Sequence, residues 1–168
     1  MNLDEFNGMS RPDAEAVLTQ CCSAARWVEQ LIELRPFDSQ SALLQSAESC
    51  WASMQEKDLL EAFEGHPKIG DPESLKRKFA NTKNLASNEQ SEVQRASEQT
   101  ILELASCNQE YVDKHGFIFI ICATGKSADE MLVSIKERLG NNREQELLQA
   151  AIEQQKITAL RLRKLIDN

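Results

Sequence analysis

Aromatic side chains are scarce in this 168-residue chain, at 5% of its residues. That scarcity points away from a β-sandwich core and from base-stacking platforms for nucleic acid. Histidine is scarcer still, with only His66 and His115. No second histidine or paired carboxylate stands at ligand spacing from either, so a metal centre has little to build on. The cysteines, Cys21, Cys22, Cys50, Cys107 and Cys122, are odd in number and form no Cys-x-x-Cys pair. A disulfide framework or zinc site is therefore disfavoured, and free thiols point to a reducing compartment. Long apolar runs are missing too. Phe117-Ile118-Phe119-Ile120-Ile121-Cys122-Ala123 is only seven residues, against the roughly 20 a membrane-spanning helix needs. No signal-peptide pattern opens the chain, and Ile166-Asp167-Asn168 is not a peroxisomal address. A soluble, cytoplasmic protein of bacterial type is expected.

What is present is acid and helix signal. Nineteen basic against 27 acidic side chains leave a formal charge of −8. Such a field repels nucleic acid and anionic membrane surfaces, so neither is an expected partner. A pocket can still carry its own positive charge for an anionic small molecule. Hydrophobic residues make up 41%, enough for one domain over 1–168 with a real core.

Helix starts recur with their caps. Ser10 before Arg11-Pro12-Asp13 opens a helix through Val17, Leu18, Cys21 and Cys22. The next carries Trp27, Val28, Leu31, Ile32 and Leu34 and stops before Pro36. Asp38 is placed to cap a helix with Leu43, Leu44, Ala47 and Trp51 on one stripe. Ser53-Met54-Gln55-Glu56 and Ser127-Ala128-Asp129-Glu130 read as capping boxes for two more, the second ending at Gly140. From about Gly65 to Leu85 the pattern is irregular, with a short helical piece around 74–79. Helices over 87–105 and 106–115 follow. A last helix starts near Asn142, with Leu147, Leu148, Ala151, Ile152, Ile157, Leu160 and Leu165 as its apolar stripe. Phe117–Ala123 is β-branched and aromatic, but one strand cannot make a sheet. It reads as a buried extended connector or a first helical turn, whose backbone groups need partners. Substrate could be one. The fold class is all-α, with about eight to nine helices.

Chemistry has few places to sit. His115 in Lys114-His115-Gly116 suits a cation completing a helix dipole, with Gly116 supplying a left-handed turn. His66 precedes Pro67, which disfavours helical geometry, and heads the loop Lys68-Ile69-Gly70-Asp71-Pro72. A histidine so placed suits proton transfer near neutral pH, or simply ends a helix at the surface. Ser87 with Gln90 reads as a capping box and Glu89 as a first-turn acid; the same helix end could instead offer a carboxylate, an amide and free N–H groups to a polar ligand. In Leu160-Arg161-Leu162-Arg163-Lys164-Leu165 the cations suit a helix C-terminus, although one could turn inward and hold an anion or carbonyl with its planar fork.

Taken together, three blocks resemble the family of OHCU decarboxylases, where OHCU is 2-oxo-4-hydroxy-4-carboxy-5-ureidoimidazoline. They are His66-Pro67-Lys68-Ile69-Gly70, then Glu89-Gln90, then Gly116-Phe117 through Cys122-Ala123. Ser134-Ile135-Lys136-Glu137-Arg138-Leu139-Gly140-Asn141 and Ile157 to Leu162 continue the likeness over nearly the whole chain. The resemblance implies an all-α homodimer that converts OHCU to (S)-allantoin and carbon dioxide. It implies His66 as the catalytic histidine with Pro67 lining the pocket, Glu89 and Gln90 as acidic and amide contacts, and Arg161 as the C-terminal arginine. Phe119, Ile120, Ile121, Cys122 and Ala123 match a segment that holds substrate largely through its backbone. The family's Ser-x-x-Glu-Gln has its serine where this chain has Ala86, with Ser87 one position later. Ser87, a backbone N–H or water would have to replace that hydroxyl.

The chemistry needs no cofactor. Decarboxylation leaves an electron pair on carbon, and the neighbouring C=N bond of OHCU can accept it. No Gly-rich phosphate loop, metal cluster or Schiff-base lysine setting is visible in the sequence. A helical protein-binding module and a histidine-dependent hydrolase using His66 with Glu89 remain the competing readings.

Overall fold

The computed structural model describes residues 1–67, 73 and 87–166, with 87–97 as backbone only. Among the described residues there are eight helices and no strand: α1 (Leu3–Gly8), α2 (Arg11–Cys21), α3 (Ala25–Glu33), α4 (Gln40–Ala52), α5 (Glu56–Glu64), α6 (Ser87–His115), α7 (Ala128–Leu139) and α8 (Arg143–Leu165). The all-α expectation holds, and none of these helices is long and apolar enough to cross a membrane. Contacts gather into two units, Met1–His66 with Gln149–Asn168, and Pro67–Leu148.

In the first unit, α1 is an element the sequence reading passed over. Asn2 caps it: its side chain accepts the Glu5 N–H at 2.8 Å while the Glu5 carboxylate accepts the Asn2 N–H at 2.9 Å. α2 begins where Ser10 predicts, the hydroxyl accepting the Asp13 N–H. Two caps move by one or two positions. Ser39, not Asp38, caps α4 by accepting the Ala42 N–H at 3.1 Å, because its side chain stands at the right offset from the third helical residue. Gln55, not Ser53, precedes α5, with the Asp58 carboxylate accepting the Gln55 N–H; Ser53 instead ends α4, its hydroxyl on the Cys50 carbonyl. The helices pack around Phe6, Leu18, Trp27, Leu31 and Leu43, all fully buried, joined by Leu162 and Ile166 of the C-terminal segment. Both tryptophans satisfy their indole N–H on backbone carbonyls, Trp27 on Ala47 and Trp51 on Ala151, each at 3.0 Å.

In the second unit, α6 packs against α7. The expected break between Ala105 and Ser106 is absent, and the backbone runs as one helix of 29 residues. The polar Asn108 just past that point turns its amide back onto the Leu104 carbonyl at 2.8 Å, so it needs no partner outside the helix. Ser127 and Glu130 form the capping box predicted for α7. Gly116 takes the left-handed conformation, with φ of +79°. His115 departs from its expected role. It is 2% exposed, and burial pushes its pKa down, so it sits neutral among Tyr111 and Phe117 rather than acting as a helix-end cation. Arg143 supplies that charge instead, donating to the His115 carbonyl at 3.2 Å.

The largest correction concerns α8. The expected stripe is only partly buried: Leu148 and Ile152 are 67% and 50% exposed, while Leu147, Ala151, Ile157, Leu160 and Leu165 are intermediate, Ala151 and Leu165 packing against the core. The inward face is Glu146, Ala150, Glu153, Gln154, Thr158 and Leu162. Most of these are polar, and buried polar groups persist only where hydrogen bonds replace water. Those bonds define the candidate site. The irregular piece at 74–79 lies outside the described residues.

Candidate active site

His66 follows the end of α5, where its N–H closes on the Phe63 carbonyl at 3.1 Å. Gly65 sets its position by close approach, since a Cβ there would collide with the Ser23 hydroxyl. Ser23 in turn donates to the Glu61 and Ala62 carbonyls, tying the end of α5 to the α2–α3 turn. The imidazole is half-buried and its Nε2 lies 2.6 Å from Gln154 Oε1 on α8. Gln154 is fully buried, and its amide nitrogen donates to Thr158 Oγ1 at 3.1 Å, one helical turn on. The Thr158 hydroxyl also acts on the Cys22 thiol, opposing the upward push of burial on its pKa.

Arg161 belongs to the same unit. Its Nη1 donates to the carbonyls of Gln20 and Cys21, at 3.4 and 3.2 Å. Thus it neutralises the C-terminal end of α2 rather than of its own helix. Of the two roles the sequence left open, the half-buried side chain shows features of both: it meets carbonyls, and it does so at a helix end, through one nitrogen. Its charge reaches His66, Cys21 and Cys22. Burial lowers the His66 pKa most, the Gln154 hydrogen bond opposes this, and the Arg161 charge lowers it further. The imidazole is therefore neutral at pH 7, able to take up a proton. Burial pushes the Cys21 and Cys22 thiols up to about 11, so neither is a nucleophile near neutrality.

The second unit holds the connector at 117–123. It is neither helix nor strand, as expected of an extended link. Phe119 and Ile120 are buried, while Ile121, Cys122 and Ala123 are partly exposed. Its backbone partners are partly internal. Arg138 Nη1 donates to the Ile120 carbonyl at 2.7 Å, and the Lys126 N–H to the Ala123 carbonyl at 3.0 Å. The Arg138 guanidinium also lies over the Phe119 ring, 4.5 Å from its centroid. Arg138 is fixed from behind by Glu146, whose Oε1 accepts its Nε–H at 2.7 Å and the Tyr111 hydroxyl at 2.6 Å. Asn141 donates to the other carboxylate oxygen at 2.9 Å. Burial first, then Glu146, holds the Tyr111 pKa far above its ordinary value, so the phenol remains a donor.

Two arrangements thus lie outside the sequence reading. Gln154 and Thr158 orient His66, and Arg138 with Glu146 and Tyr111 orients the connector. Their trace in the sequence is polar side chains at positions 146, 154 and 158, which share one helical face with Ala150. Pro67 is exposed. Ser87, Glu89 and Gln90 fall in the first turn of α6, and their side chains lie outside the described residues.

Comparison with known proteins fits this picture. The family model described as OHCU decarboxylase matches residues 7–163. A uric acid degradation bifunctional protein of Arabidopsis thaliana is 36% identical over 88% of this chain. A uric acid degradation bifunctional protein of a Bacillus species is 29% identical over 98%. The chain spans only 46% and 32% of these two relatives' lengths. A crystal structure of OHCU decarboxylase in the presence of (S)-allantoin superposes with a TM-score of 0.71 at 34% identity, covering 89% of this chain and 96% of that one. A crystal structure of (S)-allantoin synthase shares the fold, with a TM-score of 0.73 at 19% identity over 99% of this chain and 55% of that one. The chain belongs to the OHCU decarboxylase family.

Proposed function

We propose that this chain decarboxylates OHCU to (S)-allantoin in urate breakdown, without a cofactor. The observation that carries the reading is a neutral, half-buried His66 held by Gln154, with the charge of Arg161 acting on it. In the proposed step the bond from the ring carbon to the carboxylate breaks and carbon dioxide leaves. The electron pair moves toward the adjacent C=N bond, whose nitrogen takes up a proton; the hydroxyl then gives up its proton to become the ring carbonyl as one proton adds to one face of the neighbouring carbon. A low-dielectric setting strips water from the carboxylate, and fixed donors orient it. His66 contacts the hydroxyl and carboxylate end and handles the proton. Arg161 stabilises a ring oxygen or the developing negative charge. Glu89 and Gln90 hold the ureido and ring N–H groups, with Pro67 and Ser87 beside the substrate. Phe119 to Ala123 bind it through their backbone. These roles rest on the family motifs. The protein acts in this reading as one domain, as a homodimer and in the cytoplasm.

The test generates OHCU freshly from urate with the two enzymes that produce it and follows circular dichroism. Rapid growth of a single allantoin enantiomer is expected. Slow racemic decay equal to the enzyme-free control refutes the reading. A positioned general acid or base is worth about a hundred- to ten-thousandfold in rate. His66→Ala should therefore lose at least about a hundredfold in turnover with its far-ultraviolet helical spectrum unchanged. Wild-type turnover from that variant removes His66 from the mechanism.

A further inference from the structure

An imidazole can act as base or acid through either nitrogen, and its partners decide which. At His66, Nε2 faces the side-chain oxygen of Gln154 at 2.6 Å. An oxygen can only accept, so Nε2 must carry a hydrogen. That conclusion depends on the amide's orientation, because a flipped amide would present N–H and demand a bare Nε2. Thr158 matches the first orientation: its hydroxyl oxygen accepts the Gln154 amide N–H at 3.1 Å. The Thr158 hydroxyl also opposes the upward push of burial on the Cys22 thiol, as a group turning its proton toward that sulfur does. The direction of donation then runs His66 to Gln154 and Gln154 to Thr158.

Each member is built in. Gln154 is fully buried, Thr158 is 6% exposed and Cys22 is 1% exposed. A buried glutamine whose two polar ends are both bonded has no water to exchange with, and turning its amide over would require His66 and Thr158 to exchange donor and acceptor roles together.

We propose that Gln154, held by Thr158, is a positioning residue that fixes the Nε2–H tautomer of His66 and leaves Nδ1 to exchange the proton. The catalytic half of this proposal rests on the decarboxylase reading; the tautomer half does not. Gln154 touches no reacting atom. Its effect passes through the histidine, as a partner that holds the second nitrogen of an imidazole does elsewhere.

The tautomer can be read directly by long-range ¹⁵N–¹H correlation on histidine-labelled protein at neutral pH. There are only two histidines, so His66→Gln and His115→Gln assign the signals. The wild type should show a protonated, pyrrole-type Nε2 and a pyridine-type Nδ1 for His66. Gln154→Leu should turn this into a mixture of tautomers and lower kcat by about tenfold or more, with KM moving less. Thr158→Val should do the same by freeing the amide, whereas Thr158→Ser, which keeps the hydroxyl, should restore both spectrum and kcat. This pair guards against Gln154→Leu failing to fold. A wild-type His66 protonated on Nδ1 overturns the proposal, as does Gln154→Leu with unchanged spectrum and kcat. The expected tautomer in a wild-type chain that leaves OHCU untouched refutes the decarboxylase reading and the catalytic half, while the positioning of His66 stands.

Discussion

Replacing Glu146 by leucine should be among the most damaging single changes in this chain. The Glu146 side chain is 0% exposed, that of Arg138 only 10%, and the two meet at 2.7 Å. Removing the carboxylate leaves a guanidinium out of water without its counter-charge, which costs about 3–5 kcal/mol. Tyr111 loses its acceptor at the same time, and an unsatisfied buried hydroxyl adds about 1 kcal/mol or more. Against a total stability of about 5–15 kcal/mol, this is a large share. For a chain of this size the unfolding midpoint should fall by roughly 10 °C or more.

The cost comes from an orphaned charge, so it should not be additive. Arg138→Met alone removes the charge and leaves Glu146 with Tyr111 and Asn141 as donors. The double variant Arg138→Met with Glu146→Leu has neither orphan. Urea unfolding of all four proteins at pH 7 should give the double variant a loss smaller than the sum of the singles by about 2 kcal/mol. Additivity within about 0.5 kcal/mol would show that the pair is not coupled and refute the reasoning. The double variant also separates stability from positioning. Its Ile120 carbonyl still lacks the Arg138 donor, so any effect of the connector on substrate KM should persist after stability has returned.

Two further outcomes follow from the same structure. Burial lowers the pKa of both His66 and His115, so below about 6.5 the unfolded chain binds protons that the folded chain resists. Stability should therefore rise as pH increases from 5 toward 6.5 and level off above it, with His115→Gln flattening the rise; urea unfolding that is flat or falls over this window contradicts the assignment. Gly65→Ala should cost about 1–3 kcal/mol through collision with Ser23, and Ser23→Gly in the same chain should recover most of it on thermal unfolding; no recovery would place the strain elsewhere.

The legible parts of the fold were those governed by local rules. Ser10, Ser127 and Gly116 act within a few residues of themselves, and each does what its neighbours predict. Ser39 and Gln55 took the places expected of Asp38 and Ser53 because several polar residues in a row can cap, and tertiary packing picks one. The α6 break failed for a related reason. Asn108, just past the expected break, bonds its amide within the same helix. Whether a polar residue there ends a helix or stays in it depends on a side-chain rotamer, which no periodicity encodes.

The buried polar face of α8 explains why the candidate site was only half legible. Counting apolar positions selected 147, 148, 151 and 152, on the assumption that oily residues face inward. That assumption fails where polar groups are buried in pairs, because each then satisfies the other and neither needs water. Glu146 pairs with Arg138, eight residues before it, and Gln154 pairs with His66, 88 residues before it. A motif names His66 because proton transfer demands an imidazole. Nothing local names Gln154, since its partner is fixed only by the fold. The buried polar face of α8 thus does one kind of work within each unit: Gln154 orients the histidine, and Glu146, through Arg138, holds the Ile120 carbonyl. A helix that kept its apolar count but lost those polar side chains would satisfy the sequence pattern equally well. It would leave both elements without the hydrogen bonds that aim them.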